Sequence, residues 1–465
     1  MITKGDGMGG ARRHGGRPDL VRARVQQGMS QESAAQALGV TPTTWARWER
    51  GEQGVRASYR PRMAALFGVS AVEVERWIEG WSHGETSSWP TTDLGDSSPA
   101  ATVKSAALLW RLEMDPSRRH LLASLPFVPS ALGEWLVSWN YGTPAASAAR
   151  RGAGRVVGLA DVARINEARK AFGQMDQRFG AGLVRPVVVE YLNGTVAPLL
   201  RGHYDDRVGS ELMTAAAGMT WMAGWTAFDL NRHGQAQQHF GQALRLAKTG
   251  DDPLTGVWAL AALTRQAIHL EQGTWAVWLA RAAADTARRA EAPPRVMSLI
   301  LVKEAWATAL QVKSAEIRDG RRAKQVERLL TEAERAYAKG TTDRDPEWTS
   351  RFEAAELNAE VGVCWRLLGE HRRAADCAEA AVTEFSERLP RSVQFNQVHA
   401  AEAYLGMGEL EQALGTARAA IPVTKALTSA RSVDLLQRFS GQLEPYGDTV
   451  AVREFRDHLN SELIA

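Results

Sequence analysis

Residues 30–52, SQESAAQALGVTPTTWARWERGE, contain the helix caps and turn from which the fold of the N-terminal part follows. Ser30 is a favourable N-cap for a helix over 31–38, and Gly39 ends that helix in a tight turn. Thr41 then caps a second helix that opens with proline, whose missing N–H is not needed at a first helical position. Two helices joined by a short glycine turn form a helix-turn-helix, whose second helix enters the DNA major groove.

The second helix has an apolar face and a polar face. The apolar residues that hold the two helices together are Ala34, Ala35, Leu38, Val40, Trp45 and Trp48. The residues that project from the front of the second helix, as candidates for base contacts, are Pro42, Thr43, Thr44 and Arg47. Arginine reads guanine through two hydrogen bonds, and threonine contacts base edges or a thymine methyl group. A phosphate contact is the alternative for Arg47.

The charge of the chain is concentrated around this motif. The whole chain carries a net charge of +3, whereas the segment from Arg12 to Arg62 holds ten arginines and four acidic residues. A basic block in a nearly neutral protein indicates a site for a polyanion, although a solvated basic face is the alternative. The residues expected to contact DNA phosphates are Ser30, Gln31, Arg50, Arg56 and Arg60.

The motif resembles the phage-repressor-like, Xre-type helix-turn-helix family. Ser30-Gln31 is similar to the Ser/Asn-Gln pair of that family, and WERG at 48–51 is similar to the end of its recognition helix. GVS at 68–70, followed by Glu73, resembles its closing helix pair, with a capping box between Ser70 and Glu73. The resemblance implies a five-helix domain that binds double-stranded DNA.

The resemblance also implies a structural ion pair. In the family, an arginine six residues before the cap pairs with the glutamate at the end of the recognition helix, and here these are Arg24 and Glu49. We expect the domain to span residues 18–81. The Gly- and Arg-rich residues 1–17 have no apolar segment typical of a secretory signal, and we expect them to form a disordered tail.

The remainder of the chain divides into three parts. Residues 82–106 are rich in Ser, Thr, Pro, Gly and Asp, which predicts a flexible linker. We expect residues 107–205 to form a helical connecting region. From 206–465 the chain is Ala-rich, with apolar residues at helical spacing and no strand-like alternation. The fold class predicted is therefore all-α, with a helix-turn-helix domain, a linker and a C-terminal array of helical hairpins.

An internal repeat supports the array. A pattern of small or apolar residues at positions 1, 5 and 8 recurs every 39 to 53 residues. Its five copies are Ala236-Phe240-Ala243, Ala276-Ala280-Ala283, Leu329-Ala333-Ala336, Ala374-Ala378-Ala381 and Ala413-Ala417-Ala420. Small residues let the second helix of a hairpin approach the first, and hairpins that cannot bury their faces alone stack into a solenoid.

The repeats resemble the tetratricopeptide repeat (TPR) family. Gly224 and Gly362 fall where that family has a glycine in its first helix, and Tyr404 falls on its aromatic position. The copies depart from the family period of 34 residues and lack its closing proline. Ala-rich helix pairs of another class remain an alternative.

The resemblance implies a concave surface formed by the first helix of each hairpin. Applying the spacing of the family to the copies gives a candidate ligand groove. Its residues are Trp221, Trp225, Trp258, Arg265, Glu356 and Arg366. This mixture suits a small molecule or short peptide with an apolar body and a charged end. Packing of the tryptophans between repeats is the alternative.

Several function classes find no support in the sequence. The chain has no phosphate-binding GxxxxGK[ST] loop, no HExxH and no GxSxG, and its two cysteines form no CxxC. We therefore expect no catalytic residues, no bound metal and no cofactor. No run of 18 apolar residues occurs, so no membrane span is expected.

An Xre-type domain followed by TPR-like repeats resembles actinobacterial regulators and peptide-sensing regulators of Gram-positive bacteria. The resemblance implies a cytoplasmic, homodimeric transcription regulator that binds DNA and senses a small molecule or peptide with its repeats. The alternative is a repeat-based protein–protein interaction scaffold, or a regulator controlled by a partner protein without a small ligand.

Overall fold

The structure is a computed structural model. It describes residues 17–53, 55, 59–67, 69, 74, 77–78, 98–142, 147–151, 154–314, 320–385 and 389–463. These residues form helices and loops with no β-strand, which confirms the all-α fold class. The chain divides into two compact units, Met1–Trp89 and Pro90–Ala465. Among the described helices, none combines the length and the apolar character needed to cross a bilayer.

The first unit contains four described helices. They are α1 (Pro18–Gln26), α2 (Gln31–Leu38), α3 (Pro42–Glu49) and α4 (Arg60–Phe67). The predicted caps are confirmed: the Ser30 hydroxyl accepts from the Ser33 amide at 3.1 Å, and the Thr41 hydroxyl accepts from the Thr44 amide at 3.2 Å. Gly39 adopts the left-handed conformation with φ of 69°, which ends α2 and turns the chain into α3.

An aromatic core holds these helices together. Trp45 and Trp48 are buried and contact each other edge to face, with ring centroids 5.9 Å apart. The apolar residues that complete this core include Leu20, Ala34, Ala35, Leu38, Met63 and Phe67. The predicted helix-turn-helix packing is therefore present. The capping box at Ser70 and Glu73 lies outside the described residues.

Arg17 corrects the predicted boundary between tail and domain. The sequence predicts a disordered tail that includes Arg17, yet the Arg17 side chain is buried and donates to the carbonyls of Trp48 at 2.7 Å and Gln53 at 2.9 Å. A buried guanidinium must find acceptors, and carbonyls in the last turn of α3 and in the segment after it supply them. The rest of the predicted tail, residues 1–16, lies outside the described residues.

In the second unit, the first five helices among the described residues precede the hairpins. They are α5 (Pro99–Met114), α6 (Pro116–Ala123), α7 (Pro129–Tyr141), α8 (Leu159–Phe179) and α9 (Ala181–Tyr191), which continues through a π-helical turn to Leu200. Helix α5 begins inside the predicted linker 82–106. Ser98 caps it and Pro99 occupies its first position, so the last eight linker residues are helical.

Six helical hairpins follow. Their helices are α10 (Asp206–Asp229), α11 (His233–Thr249), α12 (Pro253–His269), α13 (Gly273–Arg289), α14 (Pro294–Lys313), α15 (Gly320–Tyr337), α16 (Ala354–Leu367), α17 (His371–Phe385), α18 (Pro390–Gly406), α19 (Leu410–Ala426), α20 (Ala430–Gln442) and α21 (Val450–Leu463). The first five hairpins contain the five predicted sequence copies, and the sixth lies beyond them.

The small residues of the repeat lie where the two helices of a hairpin pack against each other. Ala236, Ala276 and Ala413 are fully buried in the second helices of their hairpins. The two predicted first-helix glycines are also required. A Cβ atom at Gly224 would lie 2.7 Å from the Phe240 ring, and one at Gly362 would lie 2.9 Å from the Cβ of Cys377. Close helix approach therefore explains both the alanines and the glycines.

The connecting region packs on the first hairpin through a buried charged triad. Glu113 in α5 pairs with Arg185 in α9 at 2.5 Å and with His239 in α11. Burial raises the pKa of Glu113, but the charges of Arg185 and His239 outweigh it and lower the pKa to about 2. The ionised carboxylate thus joins three helices from two predicted regions.

Candidate functional site

Glu49 is the centre of a hydrogen-bond network behind the recognition helix α3. Its carboxylate accepts from Arg24 Nε at 2.6 Å, Trp45 Nε1 at 2.8 Å and Gln31 Nε2 at 2.5 Å. The predicted pair of Arg24 and Glu49 is therefore formed. Burial raises the pKa of Glu49, but the hydrogen bonds from Arg24, Trp45 and Gln31 outweigh it and lower the pKa. The network joins α1 and α2 to α3.

The opposite face of α3 is open to solvent. Pro42, Thr43 and Arg47 are exposed, and Thr44 is half-buried with its hydroxyl 2.9 Å from that of Thr41. Arg47 lies in the last turn of α3. Three of the four predicted base-contacting residues are therefore exposed on α3, as side chains that contact base edges in the major groove must be.

The predicted phosphate-contacting residues differ in their environments. Gln31 is engaged with Glu49, because its amide is directed inward at the start of α2. Arg50 forms two hydrogen bonds with Glu52, at 2.7 Å and 3.0 Å, on an exposed turn. Arg60 donates to the carbonyl of Val55 at 3.3 Å. Ser30 accepts the capping hydrogen bond, and Arg56 lies outside the described residues.

A cavity of about 230 Å³ lies on the inner surface of the repeats. It is lined by the first helices of all six hairpins, by α8 and by the segment between α15 and α16. Five of the six predicted groove residues line this one cavity. They are Trp221, Trp225, Trp258, Arg265 and Glu356.

Arg366 does not line the cavity. Its guanidinium lies 3.3 Å from the carboxylate of Glu402, which also accepts from Gln442 at 2.8 Å. Burial raises the pKa of Glu402, but Arg366 and His399 outweigh it and lower the pKa to about 2. The predicted ligand contact of Arg366 is replaced by an ion pair between the fourth and fifth hairpins.

The apolar wall of the cavity is a column of four stacked indoles. Trp221 stacks on Trp258 with ring centroids 3.9 Å apart, and on Trp225 at 5.3 Å. Trp348 extends the column from Trp258 at 5.5 Å, with an interplanar angle of 2°. Sequence reasoning missed Trp348, because it lies in a 3-10 turn (Glu347–Arg351) outside the repeat pattern.

The polar wall carries six cations and three carboxylates. The cations are Arg169, Arg265, Lys303, Arg351, Arg391 and Arg431, and the carboxylates are Asp176, Glu356 and Glu360. Lys303 pairs with Glu360, and Arg391 pairs with Asp176 at 2.6 Å. Arg265 instead stacks on the Trp306 ring, with its guanidinium carbon 3.9 Å from the centroid.

Helix α8 covers one side of the cavity, which the sequence did not predict. Arg169, Gly173, Asp176 and Gln177 line the cavity from this helix. Arg169 pairs with Glu347 between the third and fourth hairpins. The predicted connecting region, residues 107–205, therefore contributes helix α8 to the cavity wall. The sequence of α8 contains no copy of the repeat pattern, so the spacing of repeat residues could not predict where this helix docks.

Comparison with known proteins agrees with the two-part organisation. A protein-family model described as a helix-turn-helix domain matches residues 20–77. This match runs from within α1 through α4 and includes the recognition surface of α3. The first unit is therefore a helix-turn-helix domain, and the second unit is a helical-repeat array.

Two solved structures are similar to parts of this chain. One is a thermophilic TPR protein of Thermus thermophilus, with 23% identity over 49% of this chain and 98% of that chain, at a TM-score of 0.35. The other is a Rap protein in complex with competence and sporulation factor, with 14% identity over 65% of this chain and 86% of that chain, at a TM-score of 0.43. The comparison with curated proteins gave no match.

Proposed function

We propose that this protein is a sequence-specific DNA-binding transcription regulator whose helical-repeat unit binds a ligand that controls DNA binding. The observation that carries the proposal is the exposed face of α3, held by the Glu49 network within a helix-turn-helix domain. A buried carboxylate fixes the orientation of the helix, so that Thr43 and Arg47 remain available for base edges. The domain is of the Xre type, acting on chromosomal DNA in the cytoplasm of an actinobacterium.

The ligand role rests on the cavity in the repeats. Its mixture of apolar wall and few charged groups is typical of sites that orient a small molecule. A ligand that prefers one state of the repeat unit shifts DNA affinity by its difference in affinity for the two states.

A homodimer is the second part of the proposal. One helix-turn-helix buries little DNA surface, and tight specific binding by such domains uses two half-sites about one DNA turn apart. Light scattering of the full chain tests this. A monomer at micromolar concentration, both alone and on DNA, contradicts the dimer.

The test of DNA recognition starts with selection of bound duplexes from a random pool. Fluorescence anisotropy then compares the selected duplex with a scrambled duplex at fixed salt concentration. Arg47→Ala should lose about 1–3 kcal/mol on the selected duplex and relax one base position. Arg328→Ala, on the exposed surface of α15, is the control and should bind like the wild type.

Two results separate the alternatives. Equal weakening of Arg47→Ala on both duplexes reassigns this residue to a phosphate contact. If the selection enriches no sequence, or if the wild type binds the selected and scrambled duplexes with equal affinity, the protein is not a sequence-specific regulator.

A further inference from the structure

Several buried polar atoms on the cavity wall lack hydrogen-bond partners among the described residues. They are Arg431 Nε and Nη1, Trp348 Nε1, Asn396 Oδ1 and Glu360 Oε2. Buried polar groups in folded proteins nearly always have a partner, so each exception calls for a physical reason. Three of the five atoms are N–H donors, and a bound acceptor group supplies what these donors lack.

Arg431 is the most informative of these residues. It is 4% exposed, and its nearest carboxylate oxygen, on Asp229, lies 3.9 Å away. Its guanidinium lies among aromatic rings, 4.3 Å from the centroid of Phe228 and 5.0 Å from that of Phe395. Burial lowers the pKa of Arg431 to about 9, as do the charges of Arg265 and Arg391, against the attraction of Asp229. The guanidinium of Arg431 therefore has no carboxylate of the described residues within hydrogen-bond distance to balance its charge.

Unlike Arg431, two cavity cations have no ion-pair partner at all within the described part of the chain. Arg265 stacks on Trp306, and Arg351 donates only to the carbonyl of Gly173 at 3.4 Å. Among the described carboxylates on the cavity wall, Glu356 has no ion-pair partner, and it lies one helical turn from Glu360. Burial raises the pKa of Glu356, and so does the charge of Glu360. The cavity therefore holds more positive than negative charge.

We infer that the cavity binds a small planar aromatic molecule with one anionic head group. The aromatic part lies against the column of Trp225, Trp221, Trp258 and Trp348, because flat π-systems stack with favourable dispersion and quadrupole contacts. The anionic group accepts hydrogen bonds from Arg431 and Arg265, since charge-assisted hydrogen bonds to guanidinium are strong in a partly desolvated site. This inference rests on the proposed function, as it names the ligand class for the proposed sensing site.

The size of the cavity favours a small molecule over a peptide. Its volume of about 230 Å³ is below the usual range for drug-sized ligands, which begins near 300 Å³. Helix α8 covers one side and is tied to the repeats by Asp176 and Arg391. A longer peptide would need α8 to leave its place, whereas a two-ring aromatic acid would not.

The experiment is calorimetric titration of the full chain with four naphthalene probes of nearly equal shape. They are 1-naphthoate and 1-naphthyl phosphate as anions, 1-naphthamide as a neutral probe and 1-naphthylmethylamine as a cation. We expect the better anion to bind about tenfold or more tightly than the amide, because hydrogen bonds to a charged group add about this much. Comparison of the two anions distinguishes a carboxylate from a phosphate head group.

Variants assign the binding to the named groups. Arg431→Gln and Arg265→Gln should each weaken the preferred anion about tenfold, whereas exposed Arg328→Gln should leave its affinity unchanged. Glu356→Gln removes the unpaired carboxylate and should tighten anion binding. This gain of affinity also guards against misfolding, since a damaged fold would not bind more tightly.

The following results would overturn the inference. They are tighter binding of the amine than of both anions, no binding of either anion at about 1 mM, unchanged anion affinity in both arginine variants, or weaker anion binding in Glu356→Gln. Failure of the DNA selection experiment leaves these titrations unaffected. Anion binding without any change in DNA affinity would support the ligand class while removing the sensing role.

Discussion

Arg391 in α18 donates two hydrogen bonds to Asp176 in α8, across 215 residues of sequence. The second of these bonds is 2.6 Å long, and the same guanidinium lies 3.2 Å from Asp229 in α10. Burial lowers the pKa of Arg391, but the two carboxylates outweigh it and raise the pKa. One arginine therefore joins the first hairpin, the fifth hairpin and the helix that covers the cavity.

The first prediction concerns this junction. Asp176→Asn removes one of the two carboxylate partners of Arg391 and should lower the local stability of α8 by about 1–3 kcal/mol, because Asp229 remains as the second partner. Hydrogen exchange of peptides from residues 159–179 measures this change. Asp285→Asn, in an exposed pair with Arg288, is the control and should change local stability by less than about 0.5 kcal/mol. Equal exchange of α8 in wild type and Asp176→Asn would show that the pair does not hold this helix.

The second prediction concerns acid and the helix-turn-helix domain. The pKa of Glu49 is lowered from 4.5, so its ionised form stabilises the domain above pH 4.5 and this contribution is lost as the pH falls through the folded pKa. Glu49→Gln should lose about 1–3 kcal/mol at neutral pH, because Arg24, whose side chain is 12% exposed, loses its carboxylate partner. Hydrogen exchange of peptides from residues 31–49 between pH 7 and 3 measures both effects. Glu52→Gln, on the exposed turn, should exchange like the wild type, and an equal response in both variants refutes the role of Glu49.

The third prediction uses two glycines with opposite surroundings. Gly224→Ala should destabilise the repeat unit by about 1–3 kcal/mol, because the added Cβ would lie 2.7 Å from the buried ring of Phe240. Gly415→Ala is the matched control inside α19, where a Cβ would meet nothing within 4 Å. It should stabilise the protein by about 0.5–1 kcal/mol, since alanine loses less conformational entropy in a helix. Urea unfolding gives both values, and the same sign for both variants contradicts the packing argument.

The fourth prediction concerns the buried triad of the second unit. The pKa of Glu113 is lowered to about 2, so its contribution to stability is complete above pH 4.5 and disappears as the pH falls towards 2. Glu113→Gln should lose about 3–5 kcal/mol at pH 7 and show a smaller further loss in acid. Urea unfolding followed by circular dichroism across this pH range tests both statements. The control is Glu211→Gln, which removes an exposed pair with Arg207 and should retain the acid dependence of the wild type. An unchanged acid dependence in Glu113→Gln would be evidence against the triad.

The helix-turn-helix could be predicted almost residue by residue, because its determinants are local. Ser30, Gly39 and Thr41 act on backbone groups within three or four positions, so their spacing carries the structure. The partner of Glu49 was also predicted, from the resemblance to a family that has an arginine at the position of Arg24. The inward hydrogen bond of Gln31 was not predicted, since a side-chain direction depends on neighbours from other helices.

In the repeats, small residues such as Ala236 and Gly224, placed at helical spacing in the sequence, specify which helix surfaces come together. The sequence also placed Trp221 and Arg265 on inward positions. Three features follow only from the tertiary structure. Helix α8 covers the cavity, Trp348 completes the aromatic column, and Arg366 pairs with Glu402 of the next hairpin. These two groups of features differ in the sequence separation of the residues that produce them. Helical period and capping depend on residues a few positions apart. Ion pairs and ring stacking between distant segments depend on how whole helices dock, which no local spacing records.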